Sequence, residues 1–268
     1  LTVAAATDPP RAVERTRLLR RAVHCHGAAA RRVVPAVFST PVLSISDDSR
    51  ALLSRYGWDE SWEELALAHA AGRSAGCVAG RVAGVDRGRV DVLTSRGRVR
   101  ADTGPAPAVG DWVLVGALDV ADPTVVVAVL PRRTALARAA TSGRSEAQVL
   151  AANVDTVLVT VPLETAMRAG RVERLLALAW ESGAMPVVVL TKIDQADGAA
   201  LTDALDDLAT AAPGVAILPV SAVTGDGLDE VTAAAQGTTV LVGPSGAGKS
   251  TLTNALLGDD VMAVGNVR

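Results

Sequence analysis

Aromatic residues are scarce in this sequence, at 2% of its 268 residues, whereas hydrophobic residues in total make up 49%. The cores must therefore be built mostly from Val, Leu, Ala and Ile. No apolar run approaches the roughly 18–20 residues of a membrane-spanning helix. The two cysteines are too few and too isolated for a disulfide framework, and the first residues lack the charged-then-apolar order of a secretion signal. These absences predict a cytoplasmic protein with no membrane partner.

Lysine is scarcer still. Among the 26 basic residues only Lys192 and Lys249 are lysine, and the other 24 are arginine. Because the sequence uses arginine almost everywhere, we expect these two positions to need a compact ammonium group. The formal charge is also uneven, at +1 over residues 1–72, +4 over 73–150 and −8 over 151–268. The basic middle segment either faces a polyanion or is an ordinary solvated surface.

The basic segment has the pattern of a small β-barrel. Residues 72–140 contain five short β-branched runs separated by turn signals, which suits a closed or nearly closed barrel of the OB type. Trp112 is the only aromatic residue in this range, so arginine contacts to phosphate are favoured over base stacking. We expect residues 1–71 to form a poorly ordered or helical extension, and residues 141–150 to form a polar linker.

Residues 151–268 alternate continuously apolar strands with helical segments. Strands are expected near 154–161, 186–190, 215–220 and 238–242, and helices near 168–182, 199–212, 228–235 and 249–257. Strands without polar alternation indicate a parallel sheet covered on both faces. The predicted fold is therefore an α/β P-loop NTPase domain preceded by a small all-β barrel of the OB type.

A glycine-rich phosphate-binding loop lies between the last predicted strand and helix. Its glycines let backbone N–H groups converge on an anion, and the helix N-terminus adds a positive dipole end. Lys249 is suited to the β- and γ-phosphates, and the Ser250 hydroxyl to Mg²⁺. The candidate nucleotide-binding residues of this loop are Gly243, Pro244, Ser245, Gly246, Ala247, Gly248, Lys249, Ser250 and Thr251.

Two shorter motifs follow earlier strands and can read a base. Asp194, in the sequence Thr191-Lys192-Ile193-Asp194, can accept from guanine N1–H and the 2-amino group together. Taken alone, Asp194 is equally well explained as a helix cap. After the next strand, the backbone N–H of Ala222 can donate to guanine O6 while Ser221 steadies the loop. Together these residues predict GTP or GDP as the ligand, with Mg²⁺.

The order of these motifs, with the base-reading pair first and the phosphate-binding loop last, is that of a circularly permuted GTPase. Four further stretches match the same family: Gly57-Trp58-Asp59, Gly80-Arg81-Val82, Val109-Gly110-Asp111-Trp112-Val113 and Gln148-Val-Leu-Ala-Ala-Asn-Val-Asp155.

On these motifs and stretches, the chain resembles the ribosome small subunit-dependent GTPase A family over about residues 57–268. That resemblance implies GTP hydrolysis in late maturation of the small ribosomal subunit, with that subunit and its rRNA as partners. It also implies a barrel that contacts rRNA, and we expect a monomer.

The chain departs from the family pattern in two places. Thr191 stands where members often carry Asn, and its hydroxyl can still tie the loop. The sequence ends at Arg268, before the switch segments and the zinc domain that the resemblance implies, so no zinc site is expected in this chain and no catalytic residue is assigned. We therefore expect an incomplete GTPase domain that binds GTP or GDP weakly and does not hydrolyse GTP by itself.

Two other functions fit parts of the sequence. The phosphate-binding loop also opens many ATP-using enzymes, although the upstream base-reading motif argues against them. A second possibility is a non-hydrolysing RNA-binding barrel whose nucleotide pocket acts as a latch. Sedimentation with small ribosomal subunits, with and without a non-hydrolysable GTP analogue, separates such a latch from a free-standing enzyme.

Overall fold

The computed structural model contains a closed five-stranded barrel followed by a parallel α/β sheet, as the sequence predicts. The structure describes residues 2–5, 43, 45–71, 76–104, 106–116, 124–138, 148–163 and 168–258. More than half of residues 1–71, for which the sequence predicts a poorly ordered or helical extension, lie outside these ranges. None of the helices in these ranges is long and apolar enough to cross a membrane.

The barrel has five strands, which are β2 (Val78–Asp86), β3 (Arg89–Thr94), β4 (Gly97–Thr103), β5 (Trp112–Gly116) and β6 (Val125–Val129). They close in the order β2-β3-β4-β6-β5. Along β3 every second residue is buried, as expected for a strand with one face toward a core and one toward solvent. The interior is filled by valines such as Val82, Val92 and Val113, which explains how a barrel forms here with so few aromatic residues.

Two helices before the barrel share a hydrophobic core with it. Helix α1 (Asp47–Ser54) and helix α2 (Glu60–Ala70) each begin at a capping side chain. Trp62 of α2 packs near Trp112 of β5, with ring centroids 6.1 Å apart, and Trp58 meets Trp112 edge-on at 4.7 Å. These helices lie within residues 1–71, for which we expected a poorly ordered or helical extension.

A two-stranded hairpin joins the barrel to the sheet. Strand β7 (Ala135–Arg138) pairs antiparallel with β8 (Gln148–Ala152). The predicted linker over residues 141–150 therefore differs from the structure at its end, where residues 148–150 belong to β8. Ala151 and Ala152 at the end of β8 are fully buried, and an apolar strand end of this kind favours pairing over a solvated linker. Residues 141–147 lie outside the described ranges.

The sheet is formed by β1 (Thr2–Ala5), β9 (Thr156–Pro162), β10 (Met185–Thr191), β11 (Ile217–Val220) and β12 (Thr238–Val242). Its strand order is β1-β12-β9-β10-β11. Strands β9 to β12 are mutually parallel, and β1 pairs antiparallel with β12. Every residue of β9 is buried, as the continuous apolar run predicts. The helices of this part of the chain are α3 (Ala169–Ser182), α4 (Gly198–Ala211), α5 (Leu228–Ala234) and α6 (Lys249–Leu257).

One buried arginine connects the helices, the barrel and the sheet. Arg81 of β2 is 7% exposed. Its Nε donates to the carbonyl oxygen of Gly110 at 3.2 Å, and its Nη1 donates to that of Tyr56. Its Nη2 donates to the carbonyl oxygen of Asn153 at 3.1 Å and to Thr238 Oγ1 at 2.7 Å. Arg81 thereby fixes the barrel against the first residue of β12.

A second arginine is paired with a buried carboxylate next to the barrel wall. Asp111 is fully buried and accepts two hydrogen bonds from Arg132, both at 2.7 Å, and one from the backbone N–H of Ala108. The bidentate geometry and the buried acceptor make this pair stronger than the exposed pairs on the same barrel.

Replacing Asp111 by Ala should destabilise the protein by about 2–4 kcal/mol, because Arg132 and the Ala108 N–H lose their acceptor in a largely buried place. Asp102, which pairs with Arg89 between side chains 49% and 59% exposed, is the matched control. Asp102→Ala should cost less than about 1 kcal/mol. Urea unfolding of both variants measures the difference, and equal losses would contradict this ranking.

Candidate functional site

The parallel sheet brings the three predicted motifs to one edge. Thr191 ends β10, Ser221 follows β11, and the glycine-rich loop follows β12. Because carboxyl ends of parallel strands share an edge, these loops meet there. Two hydrogen bonds join them directly. Thr191 Oγ1 donates to the carbonyl oxygen of Ala247 at 3.0 Å, and Ser221 Oγ donates to Asp194 Oδ1 at 2.6 Å.

The glycine-rich loop is shaped by close backbone approaches. A Cβ at Gly243 would lie 2.2 Å from Thr160 Oγ1, so only glycine fits where the chain leaves β12. Gly248 has φ +75° and forms the N-cap of α6, a left-handed conformation that favours glycine. The loop therefore curls back over the first turn of α6, as a phosphate cradle requires.

Lys249 lies against this loop. Its Nζ donates to the carbonyl oxygens of Gly243 at 3.1 Å and Pro244 at 2.6 Å. Partial burial lowers the pKa of Lys249 below its ordinary value. An ammonium group held only by neutral carbonyl oxygens has its charge available for an anion on the loop.

Asp194 does not cap the following helix. It lies in a short 3₁₀ turn, Ile193–Gln195, and its carboxylate accepts from Ser221. Helix α4 is capped instead by Asp197, whose side chain accepts from the backbone N–H of Ala200 at 2.9 Å. The helix-cap explanation for Asp194 therefore does not hold.

Ser221 organises its own loop as predicted. It is fully buried, and its Oγ accepts from the backbone N–H of Thr224 at 3.1 Å while donating to Asp194. One buried hydroxyl thus fixes both the turn after β11 and the carboxylate after β10. This contact is the most specific geometric link between the two base-reading motifs.

A cavity of about 160 Å³ opens between the three loops. The predicted residues that line it are Thr191, Lys192, Asp194, Ala222, Gly248 and Thr251. Seven other predicted residues of the phosphate-binding loop do not line this cavity, although each lies within or directly beside the same turn. They are Gly243, Pro244, Ser245, Gly246, Ala247, Lys249 and Ser250. Ser221, also predicted, does not line the cavity either.

Some residues of this edge are absent from the sequence-based prediction. Gln195 and the apolar Val220, Val223 and Leu252 line the cavity. Thr160 of β9 supports the loop, since its buried Oγ1 donates to the carbonyl oxygen of Val242 at 3.0 Å. A threonine inside an otherwise apolar strand is the signal that points to Thr160. Nothing in the sequence distinguishes Gln195 from an ordinary polar loop residue.

The described ranges contain no cluster of three or more His, Cys, Asp or Glu side chains suited to a metal ion. Ser250, the predicted Mg²⁺ ligand, is the second residue of α6. A single hydroxyl at this position can hold a metal only together with oxygens of another molecule, such as phosphate oxygens and water.

Comparison with known proteins is consistent with this arrangement. The sequence model of the RsgA GTPase family matches residues 129–268. The small ribosomal subunit biogenesis GTPase RsgA of Streptomyces avermitilis is 52% identical over 231 residues, which are 82% of this chain and 61% of that protein. The Streptomyces coelicolor protein of the same name is 50% identical over 83% of this chain and 62% of its own length. The chain thus spans about three fifths of the curated relatives that it matches.

Two solved structures share the fold. YjeQ from Thermotoga maritima aligns with a TM-score of 0.55 and 26% identity, over 67% of this chain and 65% of its own. YloQ, described as a circularly permuted GTPase, aligns with a TM-score of 0.50 and 20% identity, over 66% and 63% of the two chains. The family match covers more than half of the chain and includes all three motifs. The chain belongs to the RsgA GTPase family.

Proposed function

We propose that this chain binds GTP or GDP with Mg²⁺ at the carboxyl edge of its sheet. The observation that carries the proposal is the Ser221–Asp194 hydrogen bond of 2.6 Å, which joins two base-reading loops beside a phosphate-binding loop. That hydrogen bond fixes the Asp194 carboxylate beside the cavity that Asp194 lines. A guanine base, with adjacent N–H donors, matches that carboxylate.

The residues present fit such a nucleotide. The Asp194 carboxylate would accept from guanine N1–H and the 2-amino group, and the Ala222 N–H would donate to O6. The stem of Lys192 would lie along the base. Lys249 would exchange its two carbonyl partners for phosphate oxygens, and the Ser250 hydroxyl would join the Mg²⁺ shell. Adenine offers no such pair of donors to Asp194, which disfavours an ATP-using enzyme.

We propose that the protein hydrolyses GTP during biogenesis of the small ribosomal subunit. The names of the relatives from Streptomyces avermitilis and Streptomyces coelicolor support this role. No described residue is assigned to the hydrolytic step. The protein is further proposed to be cytoplasmic and monomeric.

The barrel is proposed to be of the OB type and to contact rRNA through backbone phosphates. Its closed order β2-β3-β4-β6-β5 supports that fold type. Several of its arginines are already paired on the surface, as Arg98 is with Asp91 and Arg100 with Asp86. Arg87 and Arg96, at the two hairpin turns, form no ion pair with the described part of the chain and remain available for phosphate.

Replacing Lys249 by Ala should lower GDP affinity by about 100-fold, because charge-assisted hydrogen bonds to phosphate are lost. Guanosine, which has no phosphate, should bind the variant and the unchanged chain equally. The only other lysine provides the control. Lys192→Ala should weaken GDP and guanosine by the same factor, since Lys192 is assigned to the base. Calorimetric titration measures all six affinities, of two ligands for three proteins, and an unchanged GDP affinity in Lys249→Ala would contradict the phosphate assignment.

Replacing Asp194 by Asn should reduce the preference for GDP over ADP by about 100-fold or more, because the amide places a donor against the guanine donors. Asp197→Asn is the matched control. Asp197 lies three residues away and only caps α4, so its variant should keep the preference even if the helix is weakened. A guanine preference that survives in Asp194→Asn would show that another residue reads the base.

A further inference from the structure

A second cavity lies at the junction of the helices, the barrel and the sheet. Its volume is about 250 Å³, and its walls come from all three parts of the fold. Thr238, the first residue of β12, forms part of its floor, whereas the phosphate-binding loop follows the other end of that strand. Five residues of extended chain separate the two ends by about 15 Å. The two cavities are therefore distinct.

Positive charge dominates the lining of this junction cavity. Three arginines, Arg55, Arg81 and Arg133, line it together with one acidic residue, Asp155. Arg133 is held by a bidentate pair with Asp59. The Asp155 carboxylate accepts from the backbone N–H of Thr238 at 2.7 Å. The side chain of Arg55 is exposed and forms no hydrogen bond or ion pair with the described residues.

Arg81 is a buried cation whose hydrogen-bond partners are all neutral. It donates to three carbonyl oxygens and one hydroxyl, and the second N–H of Nη1 forms no hydrogen bond within the described ranges. Burial lowers the pKa of Arg81 to about 10, against the raising effects of Asp155 and Asp111. Buried charges are ordinarily paired with an opposite charge, so this guanidinium retains attraction for an anion.

The turn after α1 lies close to the guanidinium group of Arg81. Gly57 has φ +86°, and a Cβ there would lie 2.9 Å from Arg81 Nη1. Glycine thus lets the turn after α1, which carries Arg55 and Tyr56, lie directly on the guanidinium. The aromatic walls, Trp62 and Trp112, are almost fully buried and are closed to a stacking base, which favours a small anion over a nucleoside.

We propose that this junction cavity binds an oxyanion of the phosphate class, held by Arg81 at the floor and Arg55 at the rim. Its source is either free inorganic phosphate or a phosphodiester of RNA bound along the barrel. An anion here would contact the helices, the barrel and the start of β12 together. It would therefore stabilise their mutual arrangement. The proposal does not depend on the nucleotide site.

Titration with inorganic phosphate at constant ionic strength tests this site, with chloride as the balancing anion. The Lys249→Ala variant serves as the background, because it weakens phosphate binding at the glycine-rich loop. Saturable quenching of tryptophan fluorescence and a rise in Tm are expected, since three of the four tryptophans, Trp58, Trp62 and Trp112, lie at or beside the cavity. The absence of saturable binding in this background would overturn the proposal.

Two further substitutions locate the anion. On the same background, Arg55→Gln should weaken phosphate binding by about tenfold through loss of one charge-assisted contact. Arg174→Gln, which replaces an exposed arginine of α3 that does not line the cavity, should leave the affinity unchanged. Equal effects of the two variants would contradict the site. The Arg55 side chain is exposed and has no partner in the described ranges, so its replacement does not endanger folding.

A short single-stranded RNA identifies the source of the anion. If phosphate displaces the RNA and Arg55→Gln weakens both ligands, the occupant is a phosphodiester. If RNA binding is indifferent to phosphate and to Arg55→Gln while phosphate still binds, the occupant is the free ion. Both results support an oxyanion site. A phosphate affinity that is unchanged in Arg55→Gln would refute it.

Discussion

The parallel pairing of β12, β9, β10 and β11 is the constraint on which the functional edge depends. It places the ends of three strands side by side, although the motifs that follow them are up to about sixty residues apart in sequence. Two hydroxyl groups then complete the arrangement. Thr191 ties the base-reading loop to the phosphate-binding loop, and Ser221 orients Asp194. The site is thus assembled by strand topology and fixed by short polar contacts.

The other end of β12 carries a different kind of constraint. There Arg81 joins Tyr56, Gly110, Asn153 and Thr238 through hydrogen bonds to neutral oxygens. The strand that leads to the phosphate-binding loop therefore begins at the contact with the barrel. This shared strand connects the barrel contact at Thr238 with the phosphate-binding loop that follows Val242.

Much of the sheet and its edge could be predicted from the sequence, because continuous apolar strands and the Gly243–Thr251 pattern are local signals. Local signals left two explanations for Asp194, and only the structure shows that Asp197 caps α4. The Arg81 junction could not be predicted, since its contact with Thr238 spans 157 residues. The pairing of β7 with β8 could not be predicted either, because strands of four and five residues give too short an alternating pattern.

Direct competition between GDP and ADP for the unchanged chain, with Mg²⁺ present, tests the central claim of a guanine nucleotide site. The geometry of Asp194, Ser221 and Ala222 predicts that GDP binds at least about 100-fold more tightly than ADP, the effect of the two charge-assisted hydrogen bonds assigned to Asp194. Equal affinities, or tighter binding of ADP, would contradict it.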